Sequence, residues 1–140
     1  LRRTSMRRAL FDTVSVVIGS GKVVDREGFL SAVYAASIGS ITGSPTAAKL
    51  TVKVEHCDTK DGTFEVVPDS KLDPDTTTSD GILKEISVTS GEEIKMNLDL
   101  LGCKRYIKIT PTISFTGGTS PAASGAAYAL VLGDPVQAPV

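Results

Sequence analysis

The sequence carries a single histidine, His56, which is followed at once by one of its two cysteines, Cys57. A histidine beside a thiol suggests nucleophilic catalysis, in which the imidazole takes the proton of the nucleophile and a carboxylate orients the imidazole. Residues 50–57 alternate apolar and polar side chains, however, and neighbouring residues of a strand point to opposite faces. We therefore interpret His56 as a hydrogen-bonded histidine near the end of a strand, with Cys57 pointing away from it.

The segment Gly19-Ser20-Gly21-Lys22 resembles part of a phosphate-binding loop. The complete motif has a glycine five residues before its final Gly-Lys pair and a serine or threonine after the lysine. Valines, Val16 and Val23, stand at those two positions, and no helix is predicted after the lysine to place its N-terminus against phosphate. A turn is the better interpretation of this segment.

Metal binding has little support in the sequence. Residues 68–80 are predicted to form a long polar loop, and an EF-hand starting at Asp73 fails at its fifth and sixth positions, which are threonines. Weak calcium binding remains a minor alternative for the acidic residues of this loop, Asp69, Asp73, Asp75 and Asp80. Two cysteines are too few for a structural zinc site, and without a signal peptide we expect both thiols to be free. We predict no metal, no cofactor and no enzymatic activity.

The elements that hold these residues are predicted to be short strands separated by turns. Residues 104–115 are apolar mostly at odd positions and polar at even positions, a period of two that indicates a strand with one face on a core. Pro111 cannot donate a ladder hydrogen bond, so this strand is predicted to lie at an edge or to carry a bulge there. Strands are predicted at residues 14–18, 29–41, 50–57, 64–67, 83–88, 93–100, 104–115 and 126–132.

Seven or eight such strands indicate an all-β fold, which we expect to be an antiparallel β-sandwich, with a barrel as the alternative. With 140 residues, the chain is expected to form one domain. Residues 126–132 are apolar on both faces, which suits a strand covered on both sides or a strand with one face covered by another subunit. No apolar run reaches about 18 residues, so no membrane span is expected.

Charge is unevenly distributed along the chain. The first eleven residues contain no acid and four arginines, Arg2, Arg3, Arg7 and Arg8. The rest of the chain is acidic, and this contrast predicts a basic arm at 1–11, a β-sandwich body at 12–133 and an extended, proline-rich tail at 134–140. We favour a protein contact for the arm over nucleic acid, because the acidic body would repel DNA and no aromatic residue precedes Phe11.

A second basic cluster opens the strand at 104–115, where Lys104, Arg105 and Lys108 surround Tyr106. A tyrosine between basic residues is suited to anchor a protein interface. The alternative is a solvated sheet face with no partner.

Three segments share a pattern with known proteins. The first is 50–67, with Thr-Val-Lys-Val-Glu followed by Asp-Gly and an aromatic residue; the second is 101–109, with Gly-Cys-Lys-Arg-Tyr. The third is 129–139, which closes with Leu-Gly-Asp-Pro-Val-Gln-Ala-Pro. Together they resemble a family of small phage virion proteins, the capsid auxiliary or head decoration proteins. The first segment departs from the family pattern at His56-Cys57, where an acidic residue and serine are usual.

The resemblance implies a non-enzymatic β-sandwich of the phage head, made in the host cytoplasm, that binds the major capsid protein and its own copies. No small-molecule substrate and no membrane are expected. The residues expected to contact other subunits are Arg2, Arg3, Arg7, Arg8, Phe11, Lys104, Arg105, Tyr106, Pro135, Val136 and Pro139. A phage tail or head–tail joining protein is the alternative among virion proteins. A carbohydrate-binding sandwich is a further alternative, which the three tyrosines and absence of tryptophan argue against.

Overall fold

The computed structural model describes residues 12–68 and 81–136, without the side chains at positions 83 and 84. The predicted arm at 1–11, residues 69–80 of the predicted loop and residues 137–140 of the predicted tail lie outside this part of the chain. No helix among the described residues has the length and apolar character to cross a membrane. The described residues contain eleven strands: β1 Ser15–Ile18, β2 Val23–Asp25, β3 Phe29–Ser37, β4 Ser40–Thr42, β5 Ala47–Cys57, β6 Glu65–Val66, β7 Ile82–Ser87, β8 Glu93–Asp99, β9 Tyr106–Thr116, β10 Ala122–Ser124 and β11 Ala127–Pro135.

Two antiparallel sheets contain most of these strands. Sheet A has the order β1-β11-β3-β8, and sheet B has the order β2-β9-β5-β6, with β7 also paired to β5. Strands β4 and β10 pair separately with each other. Buried side chains from both sheets form one apolar core. The all-β prediction is therefore confirmed, and the antiparallel sheets are consistent with the expected β-sandwich.

Alternation along the strands decides which side chains enter this core. On β5, Leu50, Val52 and Val54 are fully buried, while the intervening residues face outward. Strand β8 repeats the pattern, with Met96 and Leu98 buried between exposed polar residues. Full burial of a large aliphatic side chain contributes about 1.5–3 kcal/mol, so this alternation supplies much of the stabilisation of the fold.

The predicted count of seven or eight strands is wrong, because the described residues hold three further short strands. The predicted strand 29–41 is interrupted at Gly39, which has a φ of +70° and separates β3 from β4. Strands β2 and β10 lie outside all the ranges in which strands were predicted. A strand of three residues is too short to show a period of two, which explains why the sequence pattern missed them.

The edge position predicted for Pro111 is confirmed. Strand β9 pairs with β5 along its whole length, but β2 lies opposite only its first three residues, Tyr106 to Lys108. The carbonyl of Ile109 accepts a hydrogen bond from Gly21 on the β2 side, and Pro111, two residues later, faces the same side beyond the end of β2. The missing N–H of Pro111 therefore costs no ladder hydrogen bond.

Strand β11 continues to Pro135, two residues beyond the predicted boundary of the body. Pro135 pairs with Phe29, and the N–H of Val136 donates to the Gly28 carbonyl at 2.8 Å. The first residues assigned to the tail thus extend sheet A. On β11, Leu130 is buried in the core and Val131 lies half-buried on the outer face of the sheet.

We predict that Gly39→Ala destabilises the protein by about 3 kcal/mol or more, because it combines left-handed backbone strain with overlap of the new methyl group on the Ser124 carbonyl. Gly21→Ala is the matched control: φ is +69°, and nothing lies within 4 Å of the new methyl group. Gly21→Ala should lower the free energy of unfolding only by the backbone strain, about 1–2 kcal/mol. Urea unfolding measures the stability of both variants. Equal losses would contradict a close approach of the Ser124 carbonyl to Gly39.

Candidate protein-binding surface

The turn between β2 and β3 contacts the start of β9 and the end of β11, two regions in which contact residues were predicted. Val136 donates its N–H to Gly28, and the guanidinium of Arg105 pairs with the Glu27 carboxylate at 2.8 Å. The start of β9 and the end of β11 therefore lie at the same end of the molecule. We call this region, residues 25–29, 100–106 and 135–136, the Arg26 end.

Arg26 ties the chain before β9 to this turn. Its half-buried guanidinium donates to the carbonyl oxygens of Cys103 at 2.6 Å and of Lys104 at 3.3 Å. Its backbone N–H donates to the Arg105 carbonyl at 2.9 Å. A planar guanidinium carries five donors in a fixed geometry, so one side chain can hold several carbonyls that approach from different directions. Arg26 thus fixes residues 103–105, on which two of the predicted contact side chains stand.

Lys104 is not a free positive charge. Its amine forms an ion pair with the carboxylate of Glu65 on β6 and lies 3.9 Å from the carboxylate of Asp58. The hydrogen bond between Lys104 and Glu65 raises the pKa of Lys104 and lowers the pKa of Glu65. Both side chains remain well exposed, so solvent screens the pair and it contributes little to the stability of the fold.

Arg105 is neutralised in the same way on the other side of the strand. Its guanidinium contacts Asp25 through two hydrogen bonds, at 3.2 and 2.9 Å, and also pairs with Glu27. The hydrogen bonds from Arg105 lower the pKa of Asp25. The guanidinium carbon also lies 5.1 Å from the centre of the Tyr106 ring, so the half-buried ring is covered by a cation. The surface is therefore mixed in charge, and not basic as predicted.

His56 is buried on the inward face of β5, as the alternation predicts, and is 5% exposed. Its Nδ1 accepts a hydrogen bond from the Lys104 backbone N–H at 3.0 Å, which confirms the prediction of a hydrogen-bonded histidine near a strand end. Burial, followed by the nearby positive charge of Lys104, lowers the pKa of His56, against smaller opposing effects of Glu65 and Asp58. The neutral imidazole is the form that fits this hydrogen bond.

The groups considered for catalysis are separated or already engaged. Cys57 faces away from His56, and its Sγ lies 3.7 Å from the Thr59 hydroxyl. Cys103 is buried, which raises the pKa of its thiol to about 11, and both cysteines are free. The amine of Lys22, in the segment that resembles a phosphate loop, donates to the Ile18 carbonyl at 2.6 Å. Within residues 12–68 and 81–136, no group of three or more His, Cys, Asp or Glu residues is placed to hold a metal.

Two exposed apolar side chains stand beside the paired charges of the Arg26 end. Leu101, in the 3-10 turn that precedes β9, is 70% exposed, and Val136 is 68% exposed. Apolar groups next to polar and charged ones are the composition of a protein contact surface. Of the other predicted contact residues, Pro135 lies here too, whereas the four arginines of the arm, Phe11 and Pro139 lie outside the described residues.

The sequence analysis missed the residue that organises this end. Asp25-Arg26-Glu27-Gly28 is a run of mixed charge that ends in glycine, which signals a turn. Nothing in the run indicates that Arg26 binds carbonyl groups almost 80 positions later. The two acids of the run, which pair with Arg105, were missed for the same reason.

A scan against protein-family models, a search of curated proteins and a search of solved structures each found no match. The comparisons thus assign no family to the chain.

We predict that Arg26→Met lowers the free energy of unfolding by about 2 kcal/mol, because two carbonyls lose their charged donor while the aliphatic stem is kept. Arg105→Met is the matched control and should lower the free energy of unfolding clearly less than Arg26→Met, because the ion pairs of Arg105 are solvent-exposed. Urea denaturation of both variants measures the difference. A larger loss for Arg105→Met would show that the exposed ion pairs, and not Arg26, hold this end.

Acid should destabilise the protein through His56. The folded pKa lies below the unfolded value of about 6.5, so the unfolded chain binds the extra proton first as pH falls. The contribution of the neutral imidazole is complete above about pH 6.5 and declines as pH falls through the folded pKa. We predict that His56→Asn, whose side-chain oxygen can accept the same N–H, removes this decline.

Urea unfolding of the two proteins at a series of pH values between about 7.5 and 5 tests this prediction. The pKa values of Glu65 and Asp25 are lowered from their ordinary values of 4.5 and 3.8. The stabilisation from these two carboxylates is therefore lost only at a lower pH than that from His56. Parallel pH profiles for the wild type and His56→Asn would disprove the role of the imidazole.

Proposed function

We propose that the chain is a structural protein of a bacteriophage virion, a capsid auxiliary protein that binds the major capsid protein and its own copies and stabilises the head. It acts in the virion after synthesis in the host cytoplasm, as a non-enzymatic component without a cofactor. The proposal covers the finer features of the fold too: a basic arm at 1–11, a β-sandwich body from residue 12 to the end of β11 at Pro135, and an extended tail after it.

One observation carries this proposal: the three segments of the family resemblance, far apart in sequence, are linked in the fold, two of them by direct strand pairing and the third through the turn between β2 and β3. The segment 50–67 contacts the segment 101–109 through pairing of β5 with β9 and through the hydrogen bond between Lys104 and His56. The described part of the third segment, 129–136, contacts the β2–β3 turn through the bond from Val136 to Gly28, and Arg26 of the same turn binds the carbonyls of Cys103 and Lys104. Segments that share one contact surface are expected to preserve a common pattern, which supports treating the resemblance as one of function.

The chemistry of the Arg26 end suits a coat protein. Leu101 and Val136 supply apolar contact area, and the ion pairs around Lys104 and Arg105 supply a polar rim. A single surface of this size gives a modest affinity, but a capsid presents its sites in many copies. Modest contacts repeated over a lattice stabilise a shell without a deep pocket or a catalytic group.

The arm extends this scheme to neighbouring subunits. Four arginines within eight residues can meet acidic groups on other subunits, and the remainder of the chain is itself acidic. Exposed ion pairs contribute about 0–1 kcal/mol each, so the effect of the arm depends on several pairs forming together. Phe11, at the junction with the body, and Pro139, in the tail, are further proposed contact residues.

We predict that deletion of residues 1–11 weakens attachment to phage heads. Replacement of Arg2, Arg3, Arg7 and Arg8 by glutamine should reproduce most of that loss, whereas replacement by lysine should retain attachment in low salt. Binding of each purified variant to heads that lack the protein, measured by co-sedimentation over a salt series, gives the affinities. Saturation of heads by the truncated chain with unchanged affinity would refute the role of the arm.

Electron cryomicroscopy of particles that contain the protein tests its location. Density for the chain on the capsid lattice is the expected result. Density confined to the tail or to the head–tail junction would replace the capsid proposal by the alternative of a tail or joining protein.

A further inference from the structure

The turn between β1 and β2 connects the two large sheets. The N–H of Gly19 donates to the Tyr128 carbonyl on β11 at 2.9 Å, and the N–H of Gly21 donates to the Ile109 carbonyl on β9 at 2.9 Å. Strand β11 belongs to sheet A and β9 belongs to sheet B. Two glycines of a single turn therefore hold one strand of each sheet.

The same turn contains the segment that resembles part of a phosphate-binding loop, residues 19–22. Its Lys22 amine donates to the Ile18 carbonyl at 2.6 Å, which closes the turn from end to end. An anion would find the N–H groups of Gly19 and Gly21 already bonded to carbonyl oxygens. The turn is therefore suited to cover a neutral group and not to bind phosphate.

A small cavity lies between this turn and the core. Its volume is about 10 Å³, roughly the space that one water molecule requires. Inward side chains from both sheets supply most of its apolar lining: Val17, Val24, Ile109 and Leu130. Lys22 is the one charged residue among the described residues that line it, so a bound cation would have no counter-charge there.

Tyr34, on the inward side of β3, also lines this cavity. The residue is 1% exposed, and its hydroxyl has no hydrogen-bond partner within residues 12–68 and 81–136. Burial raises the pKa of Tyr34, so the hydroxyl keeps its proton and can both donate and accept a hydrogen bond. Buried polar groups are nearly always bonded to protein or to ordered water, because an unsatisfied one is costly.

We propose that this cavity is a binding site for one water molecule, held between the Tyr34 hydroxyl and the backbone of the turn at residues 19–22. The hydroxyl donates to the water oxygen, and the water donates to backbone carbonyls that line the cavity. The Ile109 carbonyl already accepts from Gly21 and retains a second lone pair for this purpose. A buried water needs two to four polar partners, which the hydroxyl and the surrounding backbone supply.

The chemistry of the cavity selects water over other small ligands. An ion would be buried among aliphatic side chains without an opposite charge, and the volume excludes molecules larger than water. An apolar group of the same size would leave the Tyr34 hydroxyl unsatisfied. The ligand must be small and neutral, and it must both donate and accept hydrogen bonds.

The bound water has a structural consequence. It links β3, which belongs to sheet A, to the turn that already binds β11 and β9. A water that bridges buried polar groups is costly to remove, so the water, the turn and the two sheets form one hydrogen-bonded unit. This gives the segment Gly19-Ser20-Gly21-Lys22 a role as the cover of a water site.

A crystal structure of the full chain tests the site directly. We expect an ordered water at about 2.5–3.0 Å from the Tyr34 hydroxyl oxygen. In solution, NMR cross-peaks between a long-lived water and both the Tyr34 hydroxyl and the amides of the turn should identify the same molecule. A side chain bonded to the Tyr34 hydroxyl, or an ordered structure without a water there, would overturn the proposal.

Tyr34→Phe tests whether the hydroxyl holds the water. The substitution should raise the unfolding equilibrium constant about 2-fold to 10-fold, because a satisfied hydrogen bond is lost. Removal of an unsatisfied hydroxyl has the opposite sign, so a lower unfolding constant would refute the site. Urea denaturation gives both the sign and the size of the change.

Tyr128→Phe is the matched control. Its ring stacks nearly parallel to that of Tyr34, with the ring centres 6.2 Å apart, but Tyr128 is not among the residues that line the cavity. This variant should keep the water cross-peaks at the turn, whereas Tyr34→Phe should lose them. A water signal that survives unchanged in Tyr34→Phe would show that the hydroxyl does not bind it.

Discussion

The contact between one guanidinium group and two backbone carbonyls holds the Arg26 end of this molecule together. Arg26 reaches from the turn between β2 of sheet B and β3 of sheet A to the oxygens of Cys103 and Lys104, at the point where the chain enters β9. A lysine in its place would present a single amine and could not span both acceptors in the same way. The Cys103 carbonyl and the Lys104 N–H belong to the same peptide group, so the contact with Arg26 also places that N–H at His56. The surface charges are arranged on a backbone that Arg26 has positioned.

The surface that results is more balanced in charge than its sequence suggests. In the sequence Lys104 and Arg105 form a basic pair, but the fold brings four acids beside them. These are Asp58 and Glu65 near Lys104, and Asp25 and Glu27 near Arg105. Neutralised cations cost less to bury against a partner than free ones, since some of their hydration is already replaced by carboxylate oxygens. Such a surface would select partners by shape and by exposed apolar groups such as Leu101 more than by long-range attraction.

Much of the fold, but little of this end, could be predicted from the sequence. The period of two on β5, β8 and β9 identified the inward residues, because alternation is a local property of a strand. His56 was placed correctly for the same reason. The pairing of Arg26 with carbonyls 77 and 78 positions away depends on tertiary structure, and no local pattern contains it. Three-residue strands such as β2 are likewise defined by their partners and not by their own side chains.

The position of β11 in sheet A has a consequence for synthesis. This strand, Ala127–Pro135, lies between β1 and β3, which are ninety or more residues earlier in the chain. Sheet A therefore cannot be completed until residues 127–135 have emerged from the ribosome, and until then both neighbours expose unpaired edges. Strand pairs that are this far apart in sequence form late and slowly, on a time scale of about milliseconds to seconds for all-β domains. The nascent chain is thus most prone to mispairing with other chains while β11 is still missing.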